Sequence, residues 1–384
     1  MRPDLLILGG GCAGLSLARR LSSAPGQRCP ETVVLESRQA YADDRTWCFW
    51  SEPGAQLTHL VRHRWPGVYV AANGIVANVD CRATPYAMIP SPAFYGESVS
   101  MIGKTTQIQL ELGVSVLSEP IKAGNEWHLE TTAGTRSARM IVDTRPPGPP
   151  QRGEALLWQS FVGHEIECAE PVFQPDLAGI MDFAPVRGGQ ILFFYLLPFS
   201  ADRALLEVTI LAEEPLGPGV FHDEMQQFLT RTLRGRAYTI RRSEHGILPM
   251  GMPQPPAPAD PTYVKAGVFS GGARPSSGYA FQRIQRWARA CARALADGLP
   301  PLPHPRDPLP LRAMDALFLR VLRHQPELAP ELFLTLFQKV DSARLIRFLS
   351  DGGTPLDFAA VISALLPGPF LRGAFSALTS SRPP

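Results

Sequence analysis

The chain has 384 residues, 45% of them hydrophobic, enough for two domains or one large discontinuous one. A net charge of +2 leaves no electrostatic case for nucleic acid. Six scattered cysteines without a C-x-x-C speak for reduced thiols in a cytoplasmic protein, against a disulfide framework or a zinc site.

Asp4 to Leu8 predict a short buried strand, starting too early to leave room for a signal peptide. Gly9-Gly10-Gly11-Cys12-Ala13-Gly14 follows as G-x-G-x-x-G, and Leu15 to Ala18 continue as a helix. This is the strand–turn–helix of a dinucleotide site. Gly9 permits the tight turn, Gly11 the approach of a pyrophosphate, and Gly14 close packing of helix on strand. The first helical turn, with Cys12 and Ala13, offers N–H groups to phosphates. Thr32 to Leu35 predict a second strand, ended by Glu36, 22 residues after Gly14, where an acid binds ribose hydroxyls. A glycine-rich turn before an ordinary surface glutamate is the rival explanation; both strands, the helix and the acid occurring together disfavour it.

Residues 98–112 read as a helix and Val114 to Leu117 as a short strand. Trp127 to Thr132 and Arg139 to Val142 read as strands turning at Ala133-Gly134, and Ile141 to Arg145 return the chain to the nucleotide unit. Residues 151–250 hold apolar strand-like runs. Residues 262–297 read as a strand (Tyr263 to Phe269), a glycine turn and a helix from about Tyr279. Residues 310–380 are helical, with Leu and Phe recurring at spacings of three and four. Prolines number 39, against a usual share of about 5%, and crowd residues 145–150, 248–261 and 299–310 as stiff connections.

The fold expected is α/β. A doubly wound, Rossmann-type FAD-binding domain carries the G-x-G-x-x-G and is built from residues 1–50, 98–148 and 262–298. A mainly-β substrate domain is inserted as residues 51–97 and 149–261, and a helical region occupies 299–384. A simple NAD dehydrogenase would not need to return to the site near Gly271, and there is no second G-x-G-x-x-G.

Seven ordered segments carry a resemblance. They are Asp44-Arg45-Thr46-Trp47-Cys48-Phe49-Trp50, Trp158-Gln159-Ser160-Phe161-Val162-Gly163, Met181-Asp182-Phe183, residues 194–200 (FYLLPFS), residues 205–209 (LLEVT), residues 246–250 (GILPM) and residues 273–281 (ARPSSGYAF). Over about residues 1–350 the chain resembles the bacterial lycopene β-cyclases of carotenoid synthesis. The resemblance implies FAD, working in its reduced form with NAD(P)H as electron source. It implies closure of a β ring at each end of linear lycopene, to γ- and β-carotene, without net redox change. It puts Gly9, Gly11, Gly14, Glu36 and Arg45 in contact with FAD, and Asp143 and the turn holding Gly271, Gly272 and Gly278 near it. It puts the essential acid on Glu207. Many members carry a second acid directly after it, where this chain has Val208. For Arg45, an ion pair with the adjacent Asp43 or Asp44 is the competing role.

Ring closure needs a proton delivered to an alkene, so the acid must be held protonated and dry. A carboxyl in an apolar pocket meets that need. Glu207 interrupts an apolar strand, Ala204 to Leu211. Either it faces a pocket, or it faces solvent with Leu206, Val208 and Ile210 turned inward; Leu205 and Leu211 share its face. Aromatic faces stabilise carbocations. Phe193, Phe194, Tyr195 and Phe199 are expected on the adjoining strand, and Trp47, Phe49, Trp50 and Trp158 are further candidates; core packing is the alternative for each. Reduced flavin either stabilises the cation or supplies the proton. His59, His63, His164, His222 and His245 have no ligand spacing, so no metal is expected.

No run of about 18 apolar residues, the length that spans a bilayer, appears, so no spanning helix is expected. Residues 313–322, 331–349 and 361–375 are apolar or amphipathic. Phe333, Leu336, Phe337 and Val340 either dip into lipid, as in a peripheral enzyme at the cytoplasmic membrane, or pack on the protein's own core. The rival activities are a flavin-dependent monooxygenase or an isoprenoid-chain reductase on the same scaffold. A non-catalytic carrier of FAD or carotenoid is a further rival.

Overall fold

The computed structural model describes residues 3–23 and 29–365. β1 (Leu5–Leu8) runs through the glycine turn into α1 (Cys12–Ser22) and β2 (Thr32–Glu36). Every residue of β1 and β2 is buried, as continuous apolar runs in a covered parallel sheet must be. Five strands follow: β3 (Thr46–Trp50), β4 (His63–Trp65), β5 (Gly67–Ala72), β6 (Ile75–Asp80) and β7 (Tyr86–Pro90). β3, β7 and β4 form a small antiparallel sheet, while the β5–β6 hairpin joins a larger one.

α2 (Ser91–Ile102) packs against α1, and β8 (Ile108–Leu112) pairs in parallel with β2. The helix expected over 98–112 is therefore corrected. It stops at Gly103, and the alternation Ile108-Gln109-Leu110-Glu111 has the period of a strand. The boundary expected at 97/98 falls inside α2. The strand expected at Val114 to Leu117 is a single bridge, Val116 to Thr131. β9 (Ile121–Ala123), β10 (Glu126–Thr131) and β11 (Gly134–Ala138) form an antiparallel meander. The hairpin partner of β10 is thus β11; β12 (Met140–Asp143) returns beside β1.

β13 (Leu157–Cys168), β14 (Leu177–Phe183), β15 (Ile191–Pro198), β16 (Arg203–Ala212), α3 (His222–Leu233) and β17 (Tyr238–Met250) build the second, larger sheet layer. Its seven-stranded sheet runs β17-β13-β16-β15-β14-β5-β6. β18 (Tyr263–Lys265) then completes the parallel sheet β18-β12-β1-β2-β8, and α4 (Phe281–Ala296) lies on α1. α5 (Leu309–His324), α6 (Ala329–Lys339), α7 (Ser342–Leu349) and α8 (Pro355–Ala364) follow.

Strand alternation sorts the large sheet into two faces. Phe194, Leu206, Val208 and Ile210 pack under α3 with Phe228 and Leu229. Phe193, Leu205 and Leu211 face the other way, toward Leu319, Leu336 and Phe337 of the C-terminal helices. The helical stripe read as a lipid face packs on the protein's own core: Leu336 and Phe337 are 7% exposed and Val340 6%. The end of the apolar segment 361–375 lies outside the described residues. No helix among those described is long and apolar enough to cross a membrane.

Candidate active site

The glycine turn leaves room that larger residues would fill. A Cβ on Gly14 would sit 1.9 Å from the Gly9 carbonyl oxygen, and Gly9 holds φ +94. A Cβ on Gly11 would meet nothing within 4 Å. Gly11 is the N-cap of α1 and no side chain caps it, so the first-turn N–H groups face open space. That space is a cavity of about 570 Å³ lined by Gly11, Cys12, Glu36, Arg45 and Gly278, and on its far side by Glu207. The open helix end and the bare glycine surface fit the diphosphate of a dinucleotide. Ala13 is buried against the backbone at Gly267. Burial pushes the Cys12 thiol up to about 12.

Glu36 accepts hydrogen bonds from the Gly10 and Arg38 N–H groups, both at 2.8 Å, and from Arg38 Nε at 3.0 Å. Burial works to raise its carboxyl, but the Arg38 bonds outweigh it and hold the group below the usual range. The Arg45 guanidinium bonds the Asp44 carbonyl at 2.5 Å. The Asp44 and Asp43 carboxylates turn instead to Arg38 (3.3 Å) and Arg242 (3.5 Å), which leaves the Arg45 head on the cavity wall.

Three expected contacts move. Asp143 is locked to Arg145 (2.9 and 2.7 Å) in a neighbouring cavity. It pairs in register with Leu8, just before the glycine turn, while its carboxylate is turned to Arg145, whose Cγ is 3.4 Å from a Cβ built on Gly9. Gly271 is covered by Gln254, and Gly272 by Gly267 and His304, so of that turn Gly278 is the glycine lining the cavity.

Glu207 lies on β16 directly opposite Gly163 of β13 and Tyr195 of β15. It shares the cavity wall with Leu205, while Leu206 and Val208 point to α3, so it does not face solvent from a one-sided strand. Thr209 Oγ1 donates to Glu207 Oε1 at 2.9 Å. Burial pushes the carboxyl up to about 8, and the nearby Glu244 adds to the rise. Val208 lies on the opposite face, so the position that carries a second acid in many relatives points away from this site.

Glu244 is the group that the sequence reading missed. It sits on β17, also directly opposite Gly163, and is 4% exposed. It accepts from Thr46 Oγ1 at 2.8 Å and pairs with Arg242, which also reaches Glu165 at 2.6 Å. In the sequence it hides in a charged run, Arg241 to Glu244. Its signal was the alternation Glu244, Gly246, Leu248, Met250 on one strand face. Phe161, Tyr86 and Tyr279 join the wall as well.

Of the aromatic candidates, Tyr195 stands across from Glu207 on the cavity wall. Phe194 is corrected: it opposes Val208 and packs at a tilt on Phe228, ring centroids 4.6 Å apart, under α3. Trp158 is corrected by the same parity, since Gln159 and Phe161 line the cavity and Trp158, 0% exposed, faces away. Phe199 follows the end of β15 and packs against His63 and Trp65, away from the acid. Trp47 lines the cavity and stacks on Phe281 at 5.4 Å.

A second cavity, of about 450 Å³, shares Gln159, Tyr195, Ser277 and Tyr279 with the first. Phe193, Met181, Leu211, Phe318 and Phe333 make it apolar. The glycine cradle, the acid and a greasy chamber are thus neighbours along one series of walls.

The model of the family described as "Lycopene cyclase protein" matches residues 4–374. The lycopene beta-cyclase of Pseudescherichia vulneris is 27% identical over 311 residues, covering 77% of this chain and 73% of that protein. The chloroplastic lycopene beta cyclase of Solanum lycopersicum is 33% identical over 315 residues, covering 76% of this chain and 60% of its own length. Among solved structures, the flavin-dependent brominase Bmp2 superposes with TM-score 0.62 over 100% of both chains at 13% identity. A geranylgeranyl bacteriochlorophyll reductase-like protein of Thermoplasma acidophilum gives 0.61 over 97% of this chain and 98% of its own at 10% identity. These two share the fold, and the family model spans almost the whole of the sequence: the chain belongs to the lycopene cyclase protein family.

Proposed function

We propose that the protein is a lycopene β-cyclase, closing β rings on the ends of linear lycopene to give γ- and β-carotene with no net redox change. The observation that carries this reading is Glu207, a carboxyl lining the cavity of the glycine cradle directly opposite Tyr195, which also lines the apolar chamber. Gly9, Gly11, Gly14, Cys12 and Ala13 of the first α1 turn, Glu36, Arg45 and Gly278 hold FAD, and Asp143 acts through Arg145. Reduced FAD, with NAD(P)H as electron source, supplies an electron-rich plane that favours positive charge beside it.

The chain's own residues do the rest. The apolar chamber takes the polyene end and excludes water. Glu207, protonated at neutral pH because its charged form is poorly solvated, gives its proton to the terminal double bond. The resulting tertiary cation is attacked by the neighbouring double bond, closing the ring, and loss of a ring proton sets the β double bond. One proton enters and one leaves, so substrate and product are isomers. Tyr195, opposite the acid, lends an aromatic face to the cation. Ile362 of α8 lines the apolar chamber and is 56% exposed, and Leu356 of the same helix is 68% exposed, which supports shallow contact with the cytoplasmic membrane that holds the substrate.

Expression in cells that accumulate lycopene, with chromatography of the extracted pigments, tests the reading. β-Carotene, or one-ringed γ-carotene, is expected. Unchanged lycopene beside folded, flavin-bound protein would contradict it. One NAD(P)H consumed per product would point to the reductase or monooxygenase reading.

A further inference from the structure

Glu207 and Glu244 come from different strands, yet both oppose Gly163 and both line the same cavity. A Cβ built on Gly163 would lie 3.6 Å from the Glu207 Cβ and 3.2 Å from the Glu244 Cγ. The strand between the two acids carries no side chain at the point where they flank it. Glu244 is also fixed: Thr46 donates to it from β3, and Arg242 pairs with it from its own strand. Arg242 is itself shared with Glu165 and Asp43. Burial pushes the Glu244 carboxyl up as well, but Arg242 and Thr46 work against that rise by favouring its charged form, whereas Glu207 has one hydroxyl and no counter-charge.

We propose that Glu244 is a positioning residue for ring closure: its fixed negative charge, facing Glu207 across Gly163, keeps the proton on Glu207. This rests on the reading of Glu207 as the acid. Of the other groups lining the cavity, Tyr195 on β15 stands directly opposite Glu207, and Cys48 on β3, Tyr86 on β7, Tyr279 before α4 and Arg45 share the lining. Burial raises the two tyrosines Tyr86 and Tyr195 and the Cys48 thiol far above neutrality, so they carry no charge there. Arg45 opposes the Glu244 charge but is not its ion-pair partner. Glu244 is therefore the negative neighbour that adds to what burial does to the proton affinity of Glu207. With it, burial and charge act together; without it, burial acts alone.

The test is an infrared titration of the flavin-loaded protein. The protonated carboxyl band that Glu207→Gln abolishes identifies Glu207, and its loss is followed as pH rises. In the wild type its midpoint is expected at about 8. In Glu244→Gln the midpoint is expected lower by on the order of one pH unit. The basic limb of the pH–conversion profile is expected to move with it, and Glu244→Asp, which keeps the charge, to restore both. An unchanged midpoint in Glu244→Gln overturns the proposal. Glu244→Ala, which leaves no buried amide to satisfy, is the second variant if the glutamine does not fold, with the same expectation. The titration needs no turnover. A wild type that makes no rings would therefore overturn the cyclase reading while the midpoint still decides the role of Glu244.

Discussion

Glu207 carries an energetic penalty as well as a proton. Its folded-state affinity is raised to about 8, so the folded protein binds a proton that the unfolded chain releases between the ordinary carboxylate range and pH 8. Stability attributable to this group therefore falls as pH rises through that window. Glu207→Gln removes the titration. It is expected to retain flavin, to lose at least about a hundredfold in conversion, and to be more stable than the wild type at pH 8 by roughly 2–4 kcal/mol. At pH 5 the two should be nearly equal. Thermal denaturation at both pH values checks the sign, and equal melting of the two proteins at pH 8 would show that Glu207 is not held protonated. His304 works from the acid side. Buried and accepting from the Gly267 N–H at 3.0 Å, it is pushed down to about 3. Its contribution is present above the unfolded pKa of about 6.5 and is lost as pH falls toward 3. His304→Gln is expected to flatten the acid limb of the stability profile.

At the scale of elements, the first turn of α1 depends on glycine at two touching positions. Gly14→Ala would drive its methyl into the Gly9 carbonyl, so that variant is expected to purify without bound flavin; absorbance of the purified protein reads this directly. Here the sequence was legible, because the β1–α1–β2 unit is local and each glycine has its own steric reason. The buried position of Glu207 was legible too, since one charge in an apolar strand is out of pattern. Its partner was not. Glu244 comes from β17, which reaches Glu207 only through β13, and no spacing in the chain encodes that strand order. Strand parity separates the two sides of the aromatic question: Tyr195 faces Glu207, and its neighbour Phe194 faces α3. A run of aromatic residues on one strand always divides between two faces, and residue type alone does not show which face is the cavity. The helix expected over 98–112 failed for a related reason. Length favoured a helix while the alternation after Gly103 already had the period of two.

Across the whole molecule, a buried ion pair ties the C-terminal helices to the turn after β18. Arg274, 1% exposed, meets Asp315 of α5 at 3.3 Å, and Ser276 donates to the same carboxylate at 2.8 Å. Arg274 also bonds the Phe348 carbonyl at the end of α7. The turn that presents Ser277 and Gly278 to the cavity is thereby held to the helices that roof the apolar chamber. Asp315→Asn leaves Arg274 buried without a counter-charge. It is expected to cost about 3–5 kcal/mol, read by denaturant unfolding, and to loosen the chamber before the glycine cradle. Loss of conversion at temperatures where flavin stays bound is the expected signature; flavin release that precedes the loss of conversion would contradict it.

The most direct measurement of the central claim, ring closure by protonation without net redox change, is turnover of lycopene in deuterated water under anaerobic conditions. The flavin is reduced beforehand and the product is examined by mass spectrometry. One deuterium per ring formed, with no NAD(P)H consumed in proportion to product, is the expected result. A product changed by two hydrogens or one oxygen, or rings without solvent deuterium, would contradict it.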